Sequence, residues 1–367
     1  RDKLVTGVQT CALPICPPHH LWDETLDGQL NSTLWVAEQL NNHFPNVSIY
    51  STLGNHECFP SNLYYPAHEH TQDLHYTFIG AYQELSNLGD DQKETIETGG
   101  YYSVKITEGL RMVAPNSNFG YTENWYNLLH LHNDLYSDMM AWFHDTLEKA
   151  REDKEKVFIL THHPVHGNVR GFDENFSELM VEYSDIIILN VAGHKHKDEF
   201  RIFRDESGAA RGVQFLSQSS NSYSNVNPGV RVYYHDKTTF ELLGYEQYYL
   251  DIAEREATAK VELLYKTDDA YSLDNLSPEN MLDFATRMQT DNALFDKFYS
   301  NIVTGAGTQG DCNAACKKNI ICRQTTSTDA DREKCVNGDQ PASTVPPPNP
   351  EPTASASAIY INPRSEE

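Results

Sequence analysis

The sequence predicts an α/β protein that ends in a small helical, cysteine-rich unit. The first observation is a pattern that occurs three times: a helix, a buried strand, and polar residues at the carboxyl end of that strand. Strands that alternate with helices pair in parallel, and parallel sheets bind ligands at the carboxyl ends of their strands. The second observation is a series of shorter strands that follows this pattern. The third is a group of four cysteines within 24 residues near the C-terminus.

The periodicity of the apolar residues places the helices and buried strands. Apolar residues three and four positions apart predict helices over residues 27–44 and about 133–154. Apolar runs predict buried strands at residues 47–53, 157–160 and 185–193. Each of these strands is followed at once by polar residues, as the parallel arrangement requires.

Shorter strands and a helical segment make up the rest of the predicted fold. Residues 101–106 and 110–114 are typical of a β-hairpin. Residues 253–299 have a helical pattern. Four further strands, which we expect to form one antiparallel sheet, are predicted at residues 200–204, 212–217, 230–235 and 239–243.

The composition limits the classes of function. The 367 residues include 53 Asp and Glu against 28 Lys and Arg, a net charge of −25. Such a charge repels phosphate backbones, so we expect no nucleic-acid partner. The sequence has no run of 18 apolar residues, so no transmembrane segment is predicted. An anionic substrate would have to meet a local positive centre, and a metal ion is the obvious candidate.

The cysteines and the glycosylation sequons favour an exported glycoprotein. Cys312, Cys316, Cys322 and Cys335 lie among polar residues without a histidine at zinc-finger spacing. We interpret them as two disulfides and leave the three pairings open; zinc binding by four thiolates is the alternative. Sequons are common by chance, but with the cysteines they support export; they lie at Asn31, Asn46, Asn175 and Asn275.

The two ends of the chain differ from its middle. Residues 1–15 have no apolar core typical of a signal peptide and resemble translated sequencing-adapter sequence, so we expect the natural upstream chain to be missing. The predicted organisation is a non-native segment at 1–15, an α/β domain at 16–255, a helical disulfide-bonded domain at 256–336 and a disordered Pro- and Ser-rich tail at 337–367.

Polar motifs follow the three predicted buried strands. They are Gly-Asn-His-Glu at 54–57, His-His-Pro at 162–164 and Gly-His-Lys-His at 193–196. Taken alone, each is more typical of an ordinary loop than of a ligand site. His194 and His196 are two positions apart, so on extended backbone both rings point the same way. Since parallel strands end at one edge of a sheet, the three motifs together predict a shared metal site.

These motifs resemble those of acid sphingomyelinase and the acid sphingomyelinase-like phosphodiesterases, a family of calcineurin-like metallophosphoesterases. The resemblance covers roughly residues 16–336 and implies a four-layer α/β/β/α metallophosphoesterase sandwich with the small helical C-terminal domain of those enzymes. It is carried further by PPHHLWDET at 17–25, GGYYSV at 99–104, LRMVAPNSNFGYTENW at 110–125, GHKHKDEF at 193–200 and SYSNVNPGVRVY at 222–233.

The resemblance implies a site for two zinc ions. Asn55, His162 and His194 would bind one Zn²⁺ and His196 the other. A neutral amide oxygen and imidazole nitrogens are ligands that suit zinc. By the same family pattern His163 is not a ligand, and we expect it to be a loop residue.

The resemblance also implies roles around the metal ions. His56 and His19 match two histidines near the scissile phosphate; one would donate a proton to the leaving group and the other would stabilise charge, in an order left open. Tyr223 and Asn227 are the predicted substrate residues: Tyr223 would line the substrate side, and Asn227 would shape the adjacent loop. Asp198 would orient a ligand histidine from behind.

The sequence departs from the family at one position that matters. The family's bridging Asp stands four residues ahead of the histidine matched by His19, where this chain has Ile15. The first strand, with its Asp-x-His, is also absent. We therefore expect the natural protein to be an enzyme, and this 367-residue chain to bind metal poorly and turn over little.

The function predicted from these features is hydrolysis of sphingomyelin to ceramide and phosphocholine. The alternatives are a phosphodiesterase of the same family acting on nucleotides or other small soluble phosphodiesters, and a non-catalytic relative if Ile15 is genuine. The expected partners are a phospholipid or a small phosphodiester, with peripheral contact with a membrane surface. We expect the protein to be secreted or to reside in the lysosomal or vacuolar lumen.

Overall fold

The computed structural model describes residues 24–130, 135–252 and 260–338 of the chain. The helices in this part are α1 (Leu26–His43), α2 (Glu69–Tyr82), α3 (Asp90–Gly99), α4 (Trp125–Leu129), α5 (Ser137–Glu152), α6 (Arg170–Glu182), α7 (Thr267–Tyr271), α8 (Pro278–Thr290), α9 (Asn292–Ile302), α10 (Ala314–Gln324) and α11 (Asp329–Asn337). The strands are β1 (Tyr102–Thr107), β2 (Leu110–Ala114), β3 (Lys156–Leu160), β4 (Ile187–Ala192), β5 (Glu199–Arg204), β6 (Ala210–Leu216), β7 (Gly229–His235), β8 (Leu242–Leu250) and β9 (Val261–Lys266).

A six-stranded mixed sheet organises the molecule. Its order is β1-β2-β3-β4-β6-β5, with β2, β3, β4 and β6 parallel and the edge strands β1 and β5 antiparallel to their neighbours. The predicted hairpin and the predicted parallel pairing are therefore confirmed. The central strands read as continuous apolar runs because parallel strands are covered on both faces.

Helices and a second sheet cover the two faces of the large sheet. On one face, Phe176 of α6 contacts Phe203 of β5, with ring centroids 6.1 Å apart. On the other, Phe215 of β6 contacts Tyr233 of β7 and Tyr245 of β8 at 5.9 and 6.3 Å. The second sheet, antiparallel and ordered β7-β8-β9, thus packs face to face on the first through aromatic rings.

The prediction of one antiparallel sheet from four short strands is wrong. Of the four strands that correspond to the prediction, β5 and β6 belong to the large sheet, where β6 pairs in parallel with β4. The other two, β7 and β8, belong to the small sheet. The strand predicted at 239–243 in fact begins at Leu242. A hydrophobic period identifies a strand, but it carries little information on which neighbour that strand pairs with.

The segment predicted to be helical from residue 253 contains a strand. β9 pairs with β8 and extends the small sheet before the helices begin at Thr267. The first three residues of β9 are all exposed, so the alternation that normally reveals a half-buried strand is weak; they are Val261, Glu262 and Leu263. The domain boundary between residues 255 and 256 stays a prediction.

Residues 47–53 do not form the predicted strand, although their burial was predicted correctly for 51–53. The described residues supply no strand beside this segment. Side chains bind its backbone instead: the Tyr102 hydroxyl donates to Ser51 O at 2.6 Å, and Asn118 Nδ2 donates to Leu53 O at 3.0 Å. A buried extended chain thus has its carbonyl groups satisfied without a ladder.

The C-terminal helices form a disulfide-bonded unit that shares a core with the large sheet. The bonds are Cys312–Cys316 and Cys322–Cys335, so two disulfides are confirmed and the four-thiolate zinc alternative is excluded. Phe200 of β5 lies 5.9 Å from Phe284 of α8 and 5.8 Å from Phe298 of α9 between ring centroids. Among the helices of the described residues, none is long and apolar enough to cross a membrane.

Candidate metal centre

Three loops meet at the carboxyl edge of the parallel strands. His162 lies two residues after β3 and His194 two residues after β4, while Asn55 follows the buried residues 51–54. The Oδ1 atom of Asn55 lies 2.9 Å from His162 Nε2 and 3.2 Å from His194 Nδ1. The structure thus brings together the three residues that the sequence proposed as ligands of one ion.

The spacing and protonation of these atoms fit a metal ion. Ligand atoms about 2.0–2.1 Å from one zinc ion lie about 2.9–3.4 Å from one another, depending on the geometry. The two separations at Asn55 Oδ1 fall in this range. Burial, and after it the nearby His162, lowers the pKa of His194 well below its usual value. A neutral imidazole keeps the lone pair that a metal requires.

Asn62 orients the amide of Asn55. Asn55 Nδ2 donates to Asn62 Oδ1 at 2.7 Å, which leaves Asn55 Oδ1 directed at the histidines. Asn62 is itself anchored, because its carbonyl accepts from Trp125 N at 2.9 Å. The sequence analysis missed Asn62, since nothing in a single sequence distinguishes an asparagine seven residues from a ligand from any other loop residue.

Gly54 is required by close packing against a proposed ligand. A Cβ atom at position 54 would lie 2.8 Å from the His162 ring and 2.7 Å from Glu57 Oε2. The backbone N–H of Gly54 donates to the same Glu57 oxygen at 2.8 Å. Any side chain here would push His162 out of position, so the glycine of the Gly-Asn-His-Glu motif has a local physical cause.

His163 lies in the cluster as well, although the sequence analysis treated it as a loop residue. The ligand atoms of His162, His163 and His194 all lie within 4.8 Å of one another. Its Nδ1 lies 3.1 Å from Ser117 Oγ, and Tyr121 stacks on its ring at 4.0 Å. Its Nε2 is buried and has no hydrogen-bond partner among the described residues. The signal that could have found it is the His-His doublet itself.

The loop that carries His194 and His196 does not have the extended backbone assumed from the sequence. Both residues have left-handed φ values, 62° and 59°, which cost about 1–3 kcal/mol each when the residue is not glycine. His194 faces Asn55, whereas His196 lies beside the loop of Tyr223, with Nδ1 3.4 Å from the Tyr223 carbonyl oxygen. The side chain of Tyr223 is half exposed.

Two predicted residues have partners other than those expected. Asp198 is buried and binds Arg231 at 2.5 Å and the Tyr265 hydroxyl, so its two oxygens face the small sheet instead of orienting a histidine ring. Asn227 is buried too, and it donates to Thr304 O at 3.2 Å. Its Oδ1 accepts a hydrogen bond from a backbone N–H of the loop after β8. Through these hydrogen bonds its amide shapes the adjacent loop.

Of the two histidines predicted to act on the phosphate, the structure describes one. His56 is partly exposed and directly follows Asn55, at the rim of the cluster. His19 lies outside the described residues, and so does Ile15.

An asparagine-rich segment, residues 115–127, supports the residues around Asn55 through side-chain hydrogen bonds. Asn118 Nδ2 donates to Leu53 O at 3.0 Å, which holds the residue ahead of Gly54. Asn124 Nδ2 donates to Tyr64 O at 2.9 Å and its Oδ1 accepts from Tyr64 N at 3.1 Å. These amides are buried, and their hydrogen bonds stabilise the loop that carries Asn55. In the sequence, this segment gives a signal only as part of one of the motifs that carry the family resemblance.

Two family models match the chain. Residues 24–198 match the calcineurin-like phosphoesterase domain, which contains all the proposed ligands. Residues 209–341 match the C-terminal region of acid sphingomyelin phosphodiesterase. The first match ends just before β5 and the second begins just before β6, so the large sheet contributes strands to both.

Individual relatives are similar over most of this chain. Sphingomyelin phosphodiesterase A of Dictyostelium discoideum is 29% identical over 87% of this chain and 55% of its own length. Sphingomyelinase phosphodiesterase C of the same organism is 30% identical over 83% and 72%. A human cyclic GMP-AMP phosphodiesterase is 26% identical over 83% and 70%. The chain spans about half the length of the first sphingomyelin phosphodiesterases it matches.

Proposed function

Because this chain belongs to the acid sphingomyelin phosphodiesterase family of calcineurin-like phosphoesterases, we propose that it is a metal-dependent phosphodiesterase that hydrolyses sphingomyelin to ceramide and phosphocholine. The observation that carries the proposal is the convergence of Asn55 Oδ1 on His162 Nε2 and His194 Nδ1. Each neutral imidazole has one N–H and one lone pair, so in the tautomer that turns the lone pair inward all three atoms can bind one cation.

The proposed cofactor is a pair of zinc ions. Asn55, His162 and His194 would hold one ion, and His196 would contribute to the other. When bound, such ions supply Lewis-acid chemistry, neutralising the phosphate charge and making water acidic enough to attack. Asn62 and Gly54 keep the first ligand set in place, as the contacts above describe.

The departing alkoxide needs a proton. Among the described residues, His56 is placed to donate that proton or to stabilise the charge on the phosphate. It follows Asn55 directly and is partly exposed, so a ring nitrogen can meet a phosphodiester bound beside the ligands. We assign one of the two roles, proton donation or charge stabilisation, to His56 and the other to His19.

An apolar surface near the site supports a lipid substrate. Trp125, Leu128 and Leu129 of α4 are 46%, 55% and 78% exposed. Helix α4 is joined to the proposed ligands, since Trp125 N binds Asn62 O and Asn62 binds Asn55. Exposed large apolar side chains in a group mark a contact surface. We propose that this helix touches the membrane surface from which the lipid is taken.

A soluble phosphodiester is the second candidate substrate. The relative named cyclic GMP-AMP phosphodiesterase is covered over 70% of its length, against 55% for the first sphingomyelin phosphodiesterase. A non-catalytic role is the third candidate, and it depends on Ile15 being genuine. Disulfides and the exposed sequon residues Asn31, Asn46 and Asn175 support secretion or a lysosomal or vacuolar lumen.

The test compares metal content with turnover in this chain and in an extended chain, to which a first strand with the family's Asp-x-His and Gly-Asp is added at the N-terminus. Asn55→Ala should lose zinc and activity together, while His56→Ala should keep zinc and lose at least about 10²-fold in kcat. His43→Ala, at an exposed histidine of α1, is the matched control. Sphingomyelin in mixed micelles and a cyclic dinucleotide are the competing substrates. Zinc bound without hydrolysis of either substrate by the extended chain would contradict the proposal.

A further inference from the structure

A second cluster of charged residues lies on the other side of the histidine loop. It lines a cavity of about 310 Å³ between the loop 193–197, strand β5 and helices α10 and α11, which we call the seam cavity. Five cationic side chains face two carboxylates there. The lining residues are His166, Lys195, Lys197, Glu199, Arg201, Arg323, Asp329 and Arg332.

Two guanidinium groups in the seam cavity share one carboxylate. Glu199 Oε2 binds Arg201 at 2.8 Å and Glu199 Oε1 binds Arg323 at 2.5 Å, so both carboxylate oxygens are used. Arg201 is almost completely buried, yet its Nε has no hydrogen-bond partner among the described residues. The Nε of Arg323 is buried without a partner as well. Unmet buried donors of this kind are rare in folded proteins.

The second carboxylate does not balance the remaining charge. Asp329 lies 3.3 Å from Arg332 and 3.4 Å from His166. Lys195 and Lys197 make no ion pair with any carboxylate of the described residues. The cavity therefore has more donors than acceptors, in a chain whose net charge is −25.

We propose that the seam cavity is a binding site for a small tetrahedral oxyanion, free phosphate or a soluble phosphomonoester, separate from the metal centre. Guanidinium groups present planar pairs of N–H donors that match phosphate oxygens. Arg201 is about 1% exposed, whereas the side chains of Arg323 and Arg332 are 29% and 32% exposed. The cavity therefore leads from the surface to a buried guanidinium, which a small free ion reaches and a headgroup held in a bilayer does not.

The bound anion would join two parts of the chain. Lys195 and Lys197 belong to the loop that positions His194 and His196, whereas Arg323 and Arg332 belong to the disulfide-bonded unit. An oxyanion between them would stabilise the contact of that unit with the histidine loop. It would act through position and would take no part in hydrolysis.

The test is calorimetric titration of the full chain with inorganic phosphate, in excess chelator so that no metal-bound phosphate contributes. Chloride at equal ionic strength is the blank. We expect saturable binding that Lys197→Gln and Arg332→Gln each weaken about tenfold or more. Lys318→Gln, at an exposed lysine of α10 outside the cavity, should bind as the parent does. Melting curves of each variant show that it is folded.

Two further arms separate the sources of the ligand and the two proposals. Phosphocholine should compete with phosphate, and vesicles containing phosphatidylserine should not. Absence of binding in chelator, or equal weakening by Lys318→Gln, would overturn the seam-cavity proposal. Neither result bears on hydrolysis, which is measured with metal present.

Discussion

The candidate metal centre and the seam cavity lie on opposite sides of one segment, residues 194–201, and have opposite hydrogen-bonding character. His194 faces Asn55 and His196 faces the loop of Tyr223, while Lys195 and Lys197 line the seam cavity. The metal centre gathers neutral ligand atoms, an amide oxygen and imidazole nitrogens. The seam cavity gathers donors around two carboxylates, and both oxygens of one of them, Glu199, are already paired.

This difference shows what the two clusters lack. Neutral lone-pair ligands that converge can bind a cation, and donors that outnumber acceptors can bind an anion. The charge states agree with this view. Burial lowers the pKa of His194 well below its usual value, so the ring stays neutral. Burial alone would raise the pKa of Glu199, but Arg201 and Arg323 outweigh it and hold the pKa at about 2.

Removing the shared carboxylate should have the largest effect on stability. Glu199→Ala leaves Arg201 and Arg323 without their common partner, and loss of one side of a buried ion pair costs about 3–5 kcal/mol. Chemical denaturation measures the free energy of unfolding. Glu174→Ala, which breaks the exposed pair with Arg170, is the control and should cost under about 1 kcal/mol. Similar losses in the two variants would show that Glu199 is not the central partner of a buried ion-pair network.

The disulfides should separate the two clusters. Replacing Cys322 and Cys335 by serine opens a link over 13 residues and should cost about 3 kcal/mol, against about 2 for the Cys312–Cys316 link over 4 residues. Because α11 carries Arg332, the first pair of changes should also weaken phosphate binding. Zinc content should stay unchanged in both variants; lost zinc would mean that the metal centre depends on the C-terminal unit.

Acid should reveal how burial keeps a histidine neutral outside the metal centre. Burial lowers the pKa of His75 to about 4, from an ordinary value near 6.5. The unfolded chain therefore takes up a proton before the folded one, so stability falls as the pH drops from about 6.5 to 4, by about 3 kcal/mol in all. His75→Gln should flatten the dependence of Tm on pH in this range.

The control for this effect is His43→Gln, since His43 is exposed at the end of α1. The two variants are compared by melting curves between pH 4 and 7. If His75→Gln keeps the full acid sensitivity of the parent, the loss comes from other groups.

The smallest predicted effect tests the orientation of Asn55. Asn62→Ala removes the acceptor of Asn55 Nδ2, and loss of such a supporting hydrogen bond typically lowers metal affinity 10–100-fold. The zinc affinity is measured by competition with a chelator of known affinity, in protein that binds zinc before the substitution is made. Asn42→Ala, on the exposed face of α1, is the control. Unchanged affinity in Asn62→Ala would show that the amide of Asn55 needs no support.

Much of the fold was predictable where the signal is local. The hairpin, β3, β4 and the helices over 26–43 and 137–152 follow from apolar periodicity, which reports burial directly. The predicted strand at 47–53 failed because strand formation also needs a neighbour, and the single four-stranded sheet failed for the same reason. The structure does bring the three motifs together, because the edge of a parallel sheet gathers its loops whatever their distance in sequence.

The sequence by itself determined the alternation of helices and strands, the four cysteines and the residue types that meet at the sheet edge. Only the tertiary structure decided that Asn62 turns the amide of Asn55, that His163 joins His162 and His194, and that Lys195 and Lys197 face α10 and α11. It also chose the disulfide pairing. The physical reason is the distance along the chain over which each signal acts. Periodicity and residue chemistry report on neighbours in the sequence, whereas the partners of His162 and Glu199 come from segments more than a hundred residues away.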